Sequence, residues 1–379
     1  MNNFQLPRRL QGVQQTLIRQ IFEKALPGSI NFGLGEPDLP TPEFIKREAA
    51  RVIFEETNGY TNHAGLTKLR ELIANDYAHL NLTANEVVVM CGSQEAMTAA
   101  MLAIVEAGDE VLMPDPVFAA YPNVVALCEG VPKTFKLSRD DDFKFDIANF
   151  KSNISDKTKV VVLVSPSNPT GKIFSENDLR EIADALKDTG AFVISDEIYR
   201  DLYFTENRPA SIADFYERTI IVSGLSKTMS MTGWRLGWAA TQIKEVARAI
   251  LVVHGFTTVC ASTISQKAAL AAWSDEAKES INETRRIYKT RRDFFVKQIE
   301  NELGLRAIVP DGAFYTMVDA RKFGDDVKLA EKLLEHRVIT VPGVAFGEES
   351  RGFLRLSFCS NEETLVEGVK RIKAGLQSI

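Results

Sequence analysis

The chain has 379 residues, of which 45% are hydrophobic and 25% charged, as expected of a globular protein large enough for two lobes. A formal net charge of -6 gives no basic footprint for nucleic acid, no apolar run is long enough to span a membrane, and the N-terminus lacks the apolar core of a signal peptide. The four cysteines are scattered without a C-x-x-C pair, which predicts reduced thiols in a cytoplasmic protein and no metal site.

From residue 85 onward, short β-branched runs alternate with helical patterns. NEVVVM (85–90) predicts a strand, and the helix after it is predicted to end at Gly108. The runs DEVLMPDP, TKVVVLV, AFVIS and RTIIVS predict further strands, and a helix is predicted to begin at Ser175. Apolar strands that alternate with helices are typical of parallel sheets. We therefore predict an α/β large domain over residues 45–280, with a mainly parallel sheet covered by helices on both faces.

The pattern changes after about residue 280. A long charged helical stretch leads to GAFYTMVD, RVITVPG and GFLRLSF, which predict shorter strands, and NEETLVEGVKRIKAGL predicts a closing helix. We predict a smaller α+β domain that combines residues 281–379 with residues 1–44.

Four loops at strand ends carry groups that are suited to ligand binding or catalysis. In a parallel sheet, ligands bind beyond the carboxyl ends of the strands. Gly92-Ser93-Gln94 begins a helix and suits an anion such as phosphate, Asn168 offers an amide, Asp196 a carboxylate and Lys227 an amine. Taken singly, each fragment is more often structural: a glycine turn, an Asn-Pro turn, a helix cap or a solvated lysine. Together they match a pyridine ring that bears a phosphate, a phenolic oxygen and an aldehyde.

The stretch SGLSKTMSMTGWRLGW (223–238) resembles the lysine signature of the class I/II aminotransferases, fold type I pyridoxal-phosphate enzymes, in their aspartate aminotransferase-like form. FGLGEPDLPTP, NGYTNHAGLTKLRE, SNPTG, DEIY, PDGAFY and FLRLSF occur in the order found in that family, so the resemblance covers almost the whole chain. It implies a seven-stranded sheet in the large domain and pyridoxal 5'-phosphate as the cofactor.

The resemblance also implies residue roles. Lys227 would form a Schiff base with the cofactor and shuttle the substrate proton, and Asp196 would pair with the ring nitrogen. Asn168 and Tyr199 would hydrogen-bond the phenolic oxygen, and Phe118 would stack on the ring.

The remaining implied roles concern phosphate and substrate. Many relatives have a hydroxyl residue where this chain has Gly224, and Ser226 or Ser223 could substitute, with Ser226 preferred. Tyr60 is expected to cross to the neighbouring site of a homodimer. The other residues implied to bind phosphate or the substrate α-carboxylate are, for phosphate, Gly92, Ser93, Gln94 and Arg235, and, for the carboxylate, Gly35 and Arg355.

The resulting functional prediction is a ping-pong aminotransferase that moves an amino group between an α-amino acid and a 2-oxo acid. A carbon–sulfur β-lyase on the same scaffold is an alternative, because the two activities share the cofactor machinery. A more distant alternative is a non-catalytic regulatory domain that binds the cofactor. Such a protein would need an appended DNA-binding module, and none is visible in the sequence. Aspartate, alanine, aromatic and other neutral amino acids all stay open as substrates.

Overall fold

In the computed structural model, which describes residues 5–11, 13 and 15–379, a seven-stranded sheet forms the centre of the larger lobe. The strands of the chain are β1 (Ile30–Asn31), β2 (Val87–Met90), β3 (Glu110–Asp115), β4 (Val131–Lys136), β5 (Thr158–Val164), β6 (Phe192–Asp196), β7 (Thr219–Gly224), β8 (Gly237–Thr241), β9 (Tyr315–Asp319), β10 (Val338–Ile339), β11 (Val341–Pro342) and β12 (Phe353–Ser357). The α-helices are α1 (Leu17–Glu23), α2 (Glu43–Glu55), α3 (Thr67–Asn75), α4 (Ser93–Ile104), α5 (Tyr121–Leu127), α6 (Ile147–Ser152), α7 (Glu176–Leu186), α8 (Lys244–Thr257), α9 (Thr263–Ala269), α10 (Asp275–Gln298), α11 (Asp326–Glu335) and α12 (Glu362–Gln377).

The large sheet has the order β2-β8-β7-β6-β5-β3-β4. β8 runs antiparallel to both neighbours, and the other pairs are parallel, which confirms the predicted mainly parallel sheet. The sequence patterns did not reveal β4 or β8. β4 is an edge strand with one buried residue in six, and β8 is rich in glycine and alanine, so neither has a β-branched run.

Alternate residues of the central strands pack on opposite faces of the sheet. In β5, Val160 and Val162 pack against α4, α5 and α8, whereas Val161 and Leu163 face the core beneath α6 and α7. Both faces are therefore buried, and the sheet presents its strand ends, not its faces, to ligands.

Helix ends follow local chemistry. α7 begins after Ser175, as predicted, because the Ser175 side chain and Asp178 form a capping box. α4 ends at Ile104, four residues before the predicted stop at Gly108, because Val105 is already extended. Within the part of the chain that the structure describes, no helix is both long and apolar enough to cross a membrane.

The smaller lobe contains the antiparallel sheet β11-β12-β9, and β1 from the N-terminal part pairs with β10. Its core joins Phe32 and Phe295 to Tyr199 and Leu202, which follow β6 of the larger lobe. The strand-end loops of the large sheet therefore lie against the smaller lobe. α10 runs without a break through position 280, so the domain boundary there stays a prediction.

Candidate active site

A cavity of about 680 Å³ lies between the strand ends of the large sheet and the smaller lobe. Within the described residues, eleven of the predicted site residues line it. They are Gly35, Ser93, Gln94, Phe118, Asn168, Asp196, Tyr199, Ser226, Lys227, Arg235 and Arg355. Gly92 adjoins the cavity through Arg235, whereas Tyr60 lies outside it and is 89% exposed.

Lys227 follows β7 and extends its amine into the cavity. Its Nζ donates a hydrogen bond to the carbonyl of Gly35, at 2.6 Å. Burial lowers the pKa of this amine, because the charged form loses its hydration. Gly224, at the end of β7, has no room for a side chain, since a Cβ there would lie 2.8 Å from the Leu236 carbonyl oxygen. A buried amine of lowered pKa can act as a nucleophile and as a base.

Asp196 is the last residue of β6 and is buried. Burial raises its pKa to about 6, although hydrogen bonds from the Tyr121 hydroxyl and the Ile198 N–H oppose that rise. A buried carboxylate without a cationic partner is costly, so the site favours a ligand that brings a positive charge. Tyr121 was not predicted as a site residue, although it lies only three residues after the predicted Phe118 in the sequence.

Arg355 lies in β12 and is 2% exposed. Its Nη1 donates to Asn168 Oδ1 at 2.9 Å, and its Nη2 donates to the carbonyl of Gly33. Within the described chain, its Nε has no hydrogen-bond partner. Burial lowers the pKa of this guanidinium because the charged form loses hydration, and a bound anion would compensate for that loss. Because Asn168 Oδ1 is engaged, its amide NH2 is left to donate into the cavity.

Two tyrosines close one side of the cavity. The hydroxyls of Tyr199 and Tyr315 are 2.8 Å apart, and burial raises the pKa of Tyr199 well above its usual range and that of Tyr315 to about 12. Both phenols therefore stay protonated and can donate hydrogen bonds. A Cβ at Gly35 would lie 1.7 Å from the Tyr315 oxygen, so only glycine fits there. Tyr315 was not singled out from the sequence, although the motif PDGAFY ends on it.

The start of α4 forms a cradle with Arg235. Gly92 has φ +95°, and a Cβ there would lie 2.6 Å from Arg235 Nη2. The first amides of a helix have no partner within the helix, so those at Ser93 and beyond are available to an anion. Arg235 itself has φ 53°, an uncommon conformation for a residue with a side chain, and its Nη1 donates to the Thr232 carbonyl at 2.8 Å.

An acid in the first turn of α4, Glu95, is bound by groups other than Arg235. Glu95 accepts hydrogen bonds from the Cys91 N–H at 2.6 Å and Thr258 Oγ1 at 2.6 Å, and its Oε1 lies 2.7 Å from His254 Nδ1. Although burial alone would raise it, these contacts lower the pKa of Glu95 to about 2. Its negative charge is thus held by other groups and leaves the cradle to a ligand anion.

The two serine candidates for a phosphate contact separate in space. Ser226 is buried and lines the cavity. Ser223 Oγ instead donates to the carbonyl of Glu197 at 3.1 Å. The geometry thus favours Ser226, and its role stays a prediction.

Comparison with known proteins agrees with this geometry. Residues 27–372 match the family model described as aminotransferase class I and II. The chain belongs to the class I and II aminotransferases. It is 34% identical over 373 residues to a probable aspartate aminotransferase of Methanocaldococcus jannaschii, with 96% of this chain and 98% of the relative covered. It is 38% identical over 363 residues to a probable aspartate/prephenate aminotransferase of Aquifex aeolicus, covering 92% and 91% of the two chains.

Solved structures show the same fold. Aspartate aminotransferase from Thermus thermophilus with maleate superposes with a TM-score of 0.93 at 32% identity, covering 98% of this chain and 100% of that one. This class I and II aminotransferase therefore uses pyridoxal phosphate and transfers an amino group, which confirms the predicted family, fold, function and cofactor.

The residues present fit that cofactor. A cradle with a positive φ glycine and an arginine suits its phosphate, the uncompensated carboxylate of Asp196 suits its ring nitrogen, and the amine of Lys227 suits its aldehyde.

Proposed function

We propose that the cavity is the catalytic centre and that Lys227 is its catalytic residue. One observation carries this proposal: the buried amine of Lys227, the buried carboxylate of Asp196 and the buried guanidinium of Arg355 line the same cavity. Pyridoxal phosphate, when bound, supplies an aldehyde that links to amines and a ring that accepts electrons from the substrate Cα.

Each protein group then has one task. Asp196 holds a proton at the ring nitrogen, and Asn168 and Tyr199 donate to the phenolic oxygen. Arg355 holds the substrate α-carboxylate through its free Nε edge, since a guanidinium fork matches a carboxylate. Lys227 Nζ would take the proton from the substrate Cα and donate it again during amino transfer. Phe118 would pack on the cofactor ring. The residues that would hold its phosphate are Gly92, Ser93, Gln94, Ser226 and Arg235.

Lys227→Ala tests the central assignment. We expect it to abolish the visible absorbance band of the cofactor-loaded protein and nearly all amino transfer. Lys328→Ala, which removes an exposed lysine of α11, is the matched control and should change neither. Borohydride reduction followed by peptide mapping should label Lys227 in the wild type. A label on another lysine would refute the assignment.

The relatives compared here are named as aminotransferases, which favours transfer over β-elimination. Elimination would release pyruvate and ammonia from a cysteine conjugate without an added oxo acid, and we expect neither product.

We further propose a homodimer in which Tyr60 reaches the phosphate of the neighbouring site. Phe54, Tyr60 and Phe256 are 87%, 89% and 91% exposed, an unusual state for aromatic residues. The segments that carry Tyr60 and Phe256 adjoin, because a Cβ at Gly255 would lie 3.5 Å from His63 Nδ1. A second copy of the chain would cover this apolar patch.

Mixing two impaired variants tests the dimer. If sites are shared, Tyr60→Ala and Lys227→Ala should each be impaired alone, and refolding them together should restore part of the activity in hybrid dimers. Sedimentation should give twice the chain mass. A fully active monomer would refute this proposal.

We also propose a cytoplasmic location. All four cysteines, which lie in the described chain, are free thiols, as is usual in reducing compartments. Cell fractionation tests this.

A further inference from the structure

The cavity carries more positive charge than the roles above consume. Among the described residues, four cationic side chains line it, Arg19, Lys227, Arg235 and Arg355, against one acid, Asp196. Cofactor attachment, phosphate and the substrate α-carboxylate account for Lys227, Arg235 and Arg355. Arg19 has no assigned partner among these ligands.

Arg19 stands on α1, a short helix that is fixed beside the α-carboxylate site. Ile18, Arg19 and Phe22 line the cavity, as their spacing along one helix face allows. The Phe22 ring packs against Gly33, where a Cβ would lie 3.1 Å from Phe22 Cζ. The carbonyl of Gly33 accepts a hydrogen bond from Arg355 Nη2. The same turn of α1 that carries Arg19 thus packs, through Phe22, against the residue whose carbonyl binds Arg355.

The helix is anchored while the arginine is exposed. Thr16 caps α1 by accepting from the Arg19 N–H at 3.4 Å, and Ile21 is buried in the small-lobe core. The Arg19 side chain is 69% exposed, and its Nε lies 3.2 Å from Glu23 Oε1. Gln15 Nε2 donates to the same oxygen at 2.6 Å. Glu23 therefore has a second donor when Arg19 turns to another carboxylate.

We propose that Arg19 is a specificity-determining residue that binds the distal carboxylate of dicarboxylic substrates, in competition with Glu23. The inference rests on the proposed function, because it assumes that Arg355 holds the α-carboxylate. An exposed pair such as Arg19–Glu23 contributes little stability and is easily exchanged. A substrate carboxylate that enters the cavity would lose part of its hydration, which would strengthen its contact with Arg19.

The test compares half-reactions of the cofactor-loaded enzyme with single amino acids, followed by cofactor absorbance. Arg19→Ala should raise the apparent dissociation constant for aspartate and glutamate roughly 10- to 100-fold, the range for a hydrogen bond to a charged group. The constant for alanine should change less than about threefold. Glu23→Gln should tighten aspartate binding, and Arg19→Lys should recover part of the loss.

Arg180→Ala is the matched control, since Arg180 and Glu176 form an exposed i,i+4 pair on α7, away from the cavity. It should leave all constants unchanged. Equal losses for aspartate and alanine in Arg19→Ala would overturn the proposal and leave the aminotransferase assignment standing. Absence of transfer from every amino acid in the wild type would instead overturn the proposed function.

Discussion

The buried carboxylate of Asp196 predicts that the cofactor-free protein becomes more stable when this charge is removed. Burial raises the pKa of Asp196 from 3.8 to about 6. A folded-state pKa above the unfolded one means that the native state binds the proton more tightly. The associated stability is fully present below pH 4 and is lost as the pH rises through 6. A difference of about two pKa units corresponds to about 3 kcal/mol at 25 °C.

Asp196→Asn removes the charge and keeps the shape. The amide oxygen can accept from the Ile198 N–H, and the amide NH2 can donate to the Tyr121 hydroxyl, which rotates to accept. We expect a gain of about 3 kcal/mol in the unfolding free energy of the cofactor-free protein at pH 7. At an unfolding entropy of about 2 cal/mol/K per residue, the melting temperature rises by about 4 °C. Cofactor affinity should fall in the same variant.

Urea denaturation of cofactor-free wild type and variant between pH 4 and pH 8 measures the effect. The gain should grow as the pH rises from about 4 to about 6 and then stay constant. Asp188→Asn, which neutralises an exposed acid just after α7, is the control and should show no such pH dependence. A gain that is equal at pH 4 and pH 7, or no gain at all, would refute the reasoning about the buried charge.

Two further predictions concern the cofactor contacts. Gly92→Ala should weaken cofactor binding at least tenfold by fluorescence titration, because the new Cβ would lie 2.6 Å from Arg235 Nη2. Gly190→Ala, at another positive φ but with open space around it, should lose only stability, and a matching loss of affinity would contradict the steric argument. Tyr121→Phe removes the hydrogen bond that lowers the pKa of Asp196, so the acid limb of the pH–activity profile should move to higher pH. An unchanged limb would mean that the hydroxyl does not act on that carboxylate.

The sequence alone was enough to predict the cavity residues that lie at or just after the ends of strands. Asp196 closes an apolar strand and Lys227 follows another, and topology brings the ends of parallel strands to one edge. Their neighbours were harder to predict. Tyr121 reaches Asp196 from α5, 75 positions away in sequence, and no periodicity encodes that contact. β8 was missed because glycine and alanine make up three of its five residues. Glycine at position 237 is explained by the backbone around it, since a Cβ there would lie 2.5 Å from Ser93 N and 2.7 Å from the Ser223 carbonyl oxygen.

Two other residues of the cavity, Arg19 and Tyr315, were also not predicted from the sequence. In the sequence, Arg19 is one of 45 lysines and arginines, and the packing of α1 against Gly33 is what brings it to the cavity. Tyr315 likewise required the fold, because its contact with Tyr199 spans the two lobes. Long-range neighbours of this kind depend on tertiary packing, which local patterns do not specify.

Three charged groups of the cavity, on Lys227, Asp196 and Arg355, lack a partner of opposite charge within the described part of the chain. Among the described residues, Arg355 Nε has no acceptor, Asp196 has hydrogen bonds but no ion pair, and the Lys227 amine contacts a neutral carbonyl. Each of these states costs folding free energy because hydration has been lost without full compensation. On the proposed assignment, the ring nitrogen and aldehyde of the cofactor and the carboxylate of the substrate would supply the missing partners. The cost in stability and the affinity for cofactor and substrate thus have one physical origin, which is why Asp196→Asn should strengthen the fold and weaken cofactor binding together.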